Sequence, residues 1–214
     1  MADVNGKTML EHITERVSRA GFNDIIVNIH HHPELMTEEI EKLRQKGYAI
    51  TISDERDELL DTAGGCTGQR VSLTVSLSWS IMLMSLLILT WQPCTVSTAI
   101  RTPVATLAVR HGKGNRMLLV DQAGRLRGWR NNATREEILT VESNRKLEEL
   151  AFMGIHIISP SIFELMEDGI YSLTSLYLML AKKHTVRTFL HDEGYWFDCG
   201  TPQNLEKIRA HLGR

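Results

Sequence analysis

The sequence predicts an α/β fold with a largely parallel sheet, and three observations carry that expectation. Amphipathic helical stretches alternate with short β-branched runs toward both ends of the chain, and the links between them are short. A length of 214 residues with 43% hydrophobic content is enough for one compact domain, 1–214, with a substantial core.

Leu10, Ile13, Val17 and Ala20 recur at helical spacing, and Gly21 follows as a stop. Ile25-Ile26-Val27-Asn28-Ile29 is a β-branched run of the kind buried in a sheet. Met36, Ile40 and Leu43 mark a second helix ending near Gly47, and Tyr48 to Ser53 alternates as a strand. Further on, Ala105–Val109 is a strand candidate. Met117–Val120 and Arg125–Trp129 flank Asp121-Gln122-Ala123-Gly124, which reads as a hairpin. Phe152–Ile158 is another strand, after which Ser159-Pro160 should open a helix with a cap and a first-turn proline. Leu173 to Lys183 reads as helix, Tyr195-Trp196-Phe197 as a short strand, and Thr201-Pro202 as the start of a helix reaching about His211.

Charge and cysteine usage exclude several classes. The formal net charge of -2 leaves no basic excess for nucleic acid, and the apolar content argues against intrinsic disorder. The start, Met-Ala-Asp-Val-Asn-Gly-Lys, lacks the basic-then-apolar plan of a signal peptide. Cys66, Cys94 and Cys199 show no paired spacing, so neither a disulfide framework nor a structural zinc site is expected. A cytoplasmic setting is the default. His30-His31-His32 invites a metal reading, but successive strand residues point to opposite faces. The Glu38, Glu39, Glu41 and Lys42 cluster reads as a solvated helix face. Cys199 has no base beside it in sequence that would make it a nucleophile.

The segment 66–104 differs from its neighbours. It contains no Asp, Glu or Lys, and only Arg70 and Arg101 carry charge. Within it, residues 71–91 form an uncharged stretch of 21, long enough to span a bilayer as a helix. Seven of those residues are Ser or Thr and no basic flank orients the stretch, so no membrane span is expected.

The stretches VNGKTMLEHITERV, DIIVNIHHHPE, ISDERDELLDTAGG, ATLAVRHGKGNRMLLVDQAGRLRGWRNN, AFMGIHIISPSIFELM and YWFDCGTPQNLEKIRAHL resemble the sugar-1-phosphate nucleotidyltransferase family. The nearest branch is mannose-1-phosphate guanylyltransferase-like or N-acetylmuramate-1-phosphate uridylyltransferase-like. The order LDTAGG, GWRNN, GIHIISP, WFDCGTP gives the likeness its specificity. The resemblance implies a Rossmann-like three-layer α/β/α sandwich of the nucleotide-diphospho-sugar transferase type, truncated at its N-terminus. It implies a reaction in which a sugar 1-phosphate attacks the α-phosphorus of GTP or UTP, with Mg²⁺ as cofactor and pyrophosphate as the second product. Such chemistry needs charge neutralisation and positioning more than a covalent group.

Carried over by motif, Asp198 in WFDCGTP corresponds to the family's second magnesium aspartate, a hard oxygen ligand. Ala63, Gly64 and Gly65 correspond to the loop against the nucleotide, where a missing side chain allows close backbone approach. Asn131 in GWRNN and Gly154 in GIHIISP fall where the family holds the sugar phosphate. The resemblance implies that Asp198, Gly64 and Gly154 share one cleft at the carboxyl ends of the strands.

Two departures stand out. The family opens with a strand and a glycine-rich loop of the form GxGTRLxPxTxxxPKP, and this sequence starts at VNGK, after that point. The family's first magnesium aspartate, in a strand reading like LVYNVD, should fall inside 66–104, which has no aspartate. Codon arithmetic accounts for the second departure. If each new codon takes the last base of one codon and the first two of the next, permissible codons for residues 78–100 spell LVYNVDVITDIDLAALYRFHRY. The segment therefore reads as a compensated frameshift, starting near Cys66 and restored near Pro103. On this reading, with both elements missing, the chain is a very poor or inactive nucleotidyltransferase. The rival is a non-catalytic nucleotide-sugar-binding or assembly protein that keeps part of the fold.

Overall fold

The computed structural model describes residues 3–29, 32–54, 78–81, 85–87, 103–141, 146–159, 161–166, 172–198 and 202–212. In chain order the elements begin with β1 (Asp3–Val4), β2 (Lys7–Thr8), α1 (Met9–Arg19), β3 (Asp24–Ile29), α2 (Pro33–Gln45) and β4 (Ala49–Asp54). Two short strands follow, β5 (Ser78–Ile81) and β6 (Ser85–Leu87). Next come β7 (Ala105–Arg110), β8 (Arg116–Val120), β9 (Leu126–Asn131), β10 (Glu136–Leu139) and β11 (Glu148–Ile158). The chain then runs through α3 (Ile162–Leu165), α4 (Leu173–Ala181), β12 (Val186–Leu190), β13 (Trp196–Asp198) and α5 (Pro202–Leu212). The described residues fall into two compact units, one within 1–60, 83–94 and 194–214, the other within 61–82 and 95–193.

In the first unit, Asn5 and Gly6 adopt positive φ to turn β1 back on β2. Thr8 then caps α1, its hydroxyl oxygen accepting from the Glu11 amide at 3.1 Å and its proton going to Glu39 Oε1 at 2.7 Å. Glu39 is therefore a buried tie between the two helices, and not part of the solvated face that the sequence suggests. Lys42 does hold Glu38 on the open side, at 2.8 Å. The β3 and β4 strands pair in parallel, as the helix–strand–helix–strand pattern requires, and bury Val27, Ile29 and Ile50 with Leu10, Ile40 and Leu43.

The second unit is a seven-stranded sheet in the order β10-β9-β8-β11-β7-β12, with β5 also paired to β11. Here the largely parallel expectation fails. Among the described residues only β12 on β7 is parallel, and every other ladder in this sheet is antiparallel. Parallel neighbours need a crossover, and from β7 to β10 the strands are joined by links of only a few residues. The predicted hairpin between β8 and β9 is present, with Asp121 Oδ1 accepting from the Ala123 and Arg125 amides at 2.9 and 3.0 Å.

The strand β11 runs 11 residues and serves two neighbours in succession. Its first residues pair with β8 and the rest with β7, with a register shift between Phe152 and His156. Gly154 lies inside that shift at φ 75°, a conformation that favours glycine. Beneath the sheet, Leu107, Leu126 and Leu150 pack with Leu176 and Tyr177 of α4 in one apolar cluster.

The helix expected at Ser159-Pro160 starts later. Ser161 is the cap of the short α3 and makes no side-chain cap bond. Ser159 is held by the sheet end instead, its amide donating to the Val104 carbonyl at 2.9 Å. Strands β10 and β12 were not expected from the sequence. No helix among the described residues is long and apolar enough to cross a membrane, and within 71–91 the described residues form β5 and β6.

Candidate functional site

Strand β13, which carries WFD of the WFDCGTP motif, is braced from both chain ends of its unit. Its backbone pairs antiparallel with β6, so that Trp196 faces Leu87, Phe197 faces Leu86 and Asp198 faces Ser85. Just ahead of it, Tyr195 receives a hydrogen bond from Arg16 Nη2 of α1, and the guanidinium carbon sits 5.3 Å from the Tyr195 ring centroid. His211 of α5 packs edge-on to Tyr195 and Phe197, with centroids 4.2 and 5.5 Å apart. Val4, Met9 and Ile208 are buried against the same rings. A three-residue strand is thereby fixed by two helices, a rigid mount of the kind a metal carboxylate needs.

The register of β6 bears on the missing aspartate. In the shifted reading of 78–100, the aspartate of LVYNVD is spelled across codons 83 and 84. That position immediately precedes Ser85, whose backbone faces Asp198. The same reading spells LVYN across codons 78 to 82, overlapping β5, where the chain forms a strand on β11.

Asn131 and Gly154 both belong to the sheet unit. Asn131 ends β9, and its side-chain oxygen accepts from the Ala133 and Thr134 amides at 3.0 and 3.3 Å. That oxygen shapes the turn into β10, which leaves the amide nitrogen as the group able to meet a ligand. Asn132 beside it donates to the Gly114 carbonyl at 3.3 Å and to Glu149 Oε2 at 3.2 Å. Gly154 makes the bend of β11 described above, a backbone role independent of any ligand. Ala63, Gly64 and Gly65 lie outside the described residues, as do His30, His31 and Cys199. Among the described residues no group of three or more His, Cys, Asp or Glu side chains could hold a metal ion. Magnesium is commonly held by one or two carboxylates together with substrate phosphates, so a single aspartate is compatible with its donor chemistry.

Two histidines contrast in this unit. His156 of β11 is 1% exposed, packed between Phe152 and Tyr177 with centroids 6.2 and 5.6 Å away. Neither ring nitrogen has a hydrogen-bond partner among the described residues, and burial pushes its pKa down to about 4. His111, on the loop after β7, lies instead between two carboxylates. The sequence gives no local signal for that cluster, because its partners are 37 and 81 positions away.

No family model matches the chain. Among curated proteins it is 24% identical over 226 aligned positions to the N-acetylmuramate alpha-1-phosphate uridylyltransferase of Caulobacter vibrioides, covering 99% of this chain and 87% of that protein. It is 26% identical to the mannose-1-phosphate guanyltransferase of Yarrowia lipolytica, across 96% of this chain and 55% of that one, so it spans about half of that relative's length. Among solved structures, HddC from Yersinia pseudotuberculosis in complex with GMP-PN superposes with a TM-score of 0.76 at 18% identity, covering 99% and 88% of the two chains. The fold is therefore the α/β fold of the nucleotide-diphospho-sugar transferases, as the resemblance implied. Along almost its whole length the chain resembles sugar-1-phosphate nucleotidyltransferases in sequence, and it shares the fold of the solved ones.

Proposed function

We propose that this chain is a nucleotidyltransferase forming a nucleotide sugar from GTP or UTP and a sugar 1-phosphate, with turnover weakened by residues 66–104. One observation carries this reading. The shifted reading spells an aspartate immediately ahead of Ser85, the residue whose backbone pairs with Asp198, and a two-carboxylate magnesium site would use both. In the sequence as it stands, only Asp198 of that pair is a carboxylate.

Asp198 would hold Mg²⁺ together with the substrate phosphates, and the ion when bound neutralises charge on the triphosphate. The mount of Tyr195, Arg16 and His211 keeps the backbone at Asp198 in place, so that little ordering is left for the bound state. Asn131 would offer its side-chain amide to the sugar phosphate, and the bend at Gly154 would let the substrate approach the backbone of β11. Ala63, Gly64 and Gly65 would lie against the base. Cytoplasmic localisation follows from the substrates this reading names.

Pyrophosphate release is the direct assay, with Mg²⁺, GTP or UTP, and a panel of hexose 1-phosphates. Slow release that Asp198→Asn abolishes supports the reading. The lack of an aspartate in 66–104 favours one alternative, a nucleotide-sugar-binding protein without catalysis. Saturable binding with no pyrophosphate release, unchanged by Asp198→Asn, would establish that alternative.

A further inference from the structure

We propose that His111, in its doubly protonated form, is a proton-operated clasp that fastens the loop between β7 and β8 to the ends of β11 and β12. Its Nδ1 lies 2.6 Å from Asp192 Oδ2, and its Nε2 lies 2.8 Å from Glu148 Oε1. Its backbone N–H donates to the other Asp192 oxygen at 2.8 Å. Glu148 begins β11, and Asp192 follows β12 in the stretch that leads to the WFDCGTP motif. One imidazole therefore joins three segments distant in sequence.

The geometry dictates the charge state. An ionised carboxylate only accepts hydrogen bonds, so both bonds form only if both ring nitrogens carry a proton. A neutral imidazole has one N–H and one lone pair, and the lone pair would face a carboxylate oxygen. Losing the proton removes a charge-assisted bond and replaces it with repulsion. The groups facing the ring are Asp192 and Glu148, with Arg110 alongside, its Nε donating to the His111 carbonyl at 3.4 Å. The negative pair outweighs that cation. The Asp192 hydrogen bond, then the Glu148 bond, hold the imidazole above its ordinary pKa, and the same contact holds Asp192 below its own.

The clasp is thus closed below the ordinary histidine range and opens as pH rises through the raised value. What it releases is the exposed loop 111–115, with Lys113, and the exit of β12. This device is independent of the proposed reaction.

The test is an NMR titration of the His111 ring in the full chain from pH 5 to 9, with amide exchange measured alongside. The expected midpoint lies above 6.5, and both ring nitrogens are protonated below that midpoint. Asp192→Asn and Glu148→Gln each lower the midpoint, Asp192→Asn the more because its hydrogen bond to the ring is the shorter. The protection factor of the His111 amide falls through the midpoint in the parent chain and is already low in Asp192→Asn. A midpoint at or below 6.5, a midpoint that neither substitution moves, or protection that stays constant through the transition would overturn the clasp. All three side chains are exposed, so neither substitution disturbs the core.

Discussion

In the unit built on the seven-stranded sheet, Leu107 and Val109 are fully buried and belong to one large apolar cluster shared with α4. The unit that holds β13 is assembled differently, from two small apolar clusters tied together by polar contacts. Lys46 reaches Glu11 at 2.5 Å, Lys7 pairs with Glu15, Thr8 joins Glu39, and Arg16 joins Tyr195. The large cluster of the sheet unit draws on area removed from water, and that unit also carries ion pairs of its own at Asp121 and Arg130. The β13 unit depends more on hydrogen bonds and part-buried charges, which respond to single polar substitutions and to ionic strength.

The largest expected effect is a cavity in the sheet unit. Leu107→Ala should lower unfolding free energy by about 2–5 kcal/mol, measured by denaturant unfolding at constant m-value. A loss under about 1 kcal/mol would show that the β7 core is loosely packed and would remove one side of the contrast.

Next comes acid. His156 has a folded-state pKa of about 4, below the 6.5 of an ordinary histidine, so the unfolded chain takes up its proton first. Its stabilising contribution is complete above pH 6.5 and declines as pH falls toward 4, a loss of about 3 kcal/mol in all. Unfolding curves recorded across that window should show the slope, and His156→Phe should flatten it. An unchanged slope in His156→Phe would assign the acid sensitivity to other groups.

A smaller effect is expected where polar ties dominate. Thr8→Ala removes the cap of α1 and the hydroxyl that satisfies buried Glu39, for a loss of about 1–2 kcal/mol. A cost above that of Leu107→Ala would invert the comparison between the two units.

Periodicity made the helices and the main strands legible. Leu10, Ile13 and Val17 marked α1, and the β-branched run at Ile25 marked β3, to within a residue or two. Strand direction was not legible, because a strand has the same side-chain period whichever way its neighbour runs. Strand β10 was missed because Glu136 to Leu139 is an exposed edge without alternation, held partly by Arg130 to Glu137. The tie of Thr8 to Glu39 spans 31 positions, and sequence spacing cannot report such a contact. Of the site, Asp198 and Asn131 could be located by motif, but the turn that occupies the Asn131 oxygen appears only in three dimensions.

The central claim is that residues 66–104 are what weakens a nucleotidyltransferase, and exchanging the out-of-frame stretch tests it most directly. Residues 79–100 are replaced by LVYNVDVITDIDLAALYRFHRY. Parent and exchanged chains are then compared for pyrophosphate release with Mg²⁺, GTP or UTP and hexose 1-phosphates. Restoring one preorganised electrostatic contact is worth about 10²- to 10³-fold in rate, so the exchanged chain should be faster by at least about 10²-fold. Asp198→Asn should abolish that gain. Equal rates for the two chains would contradict the account.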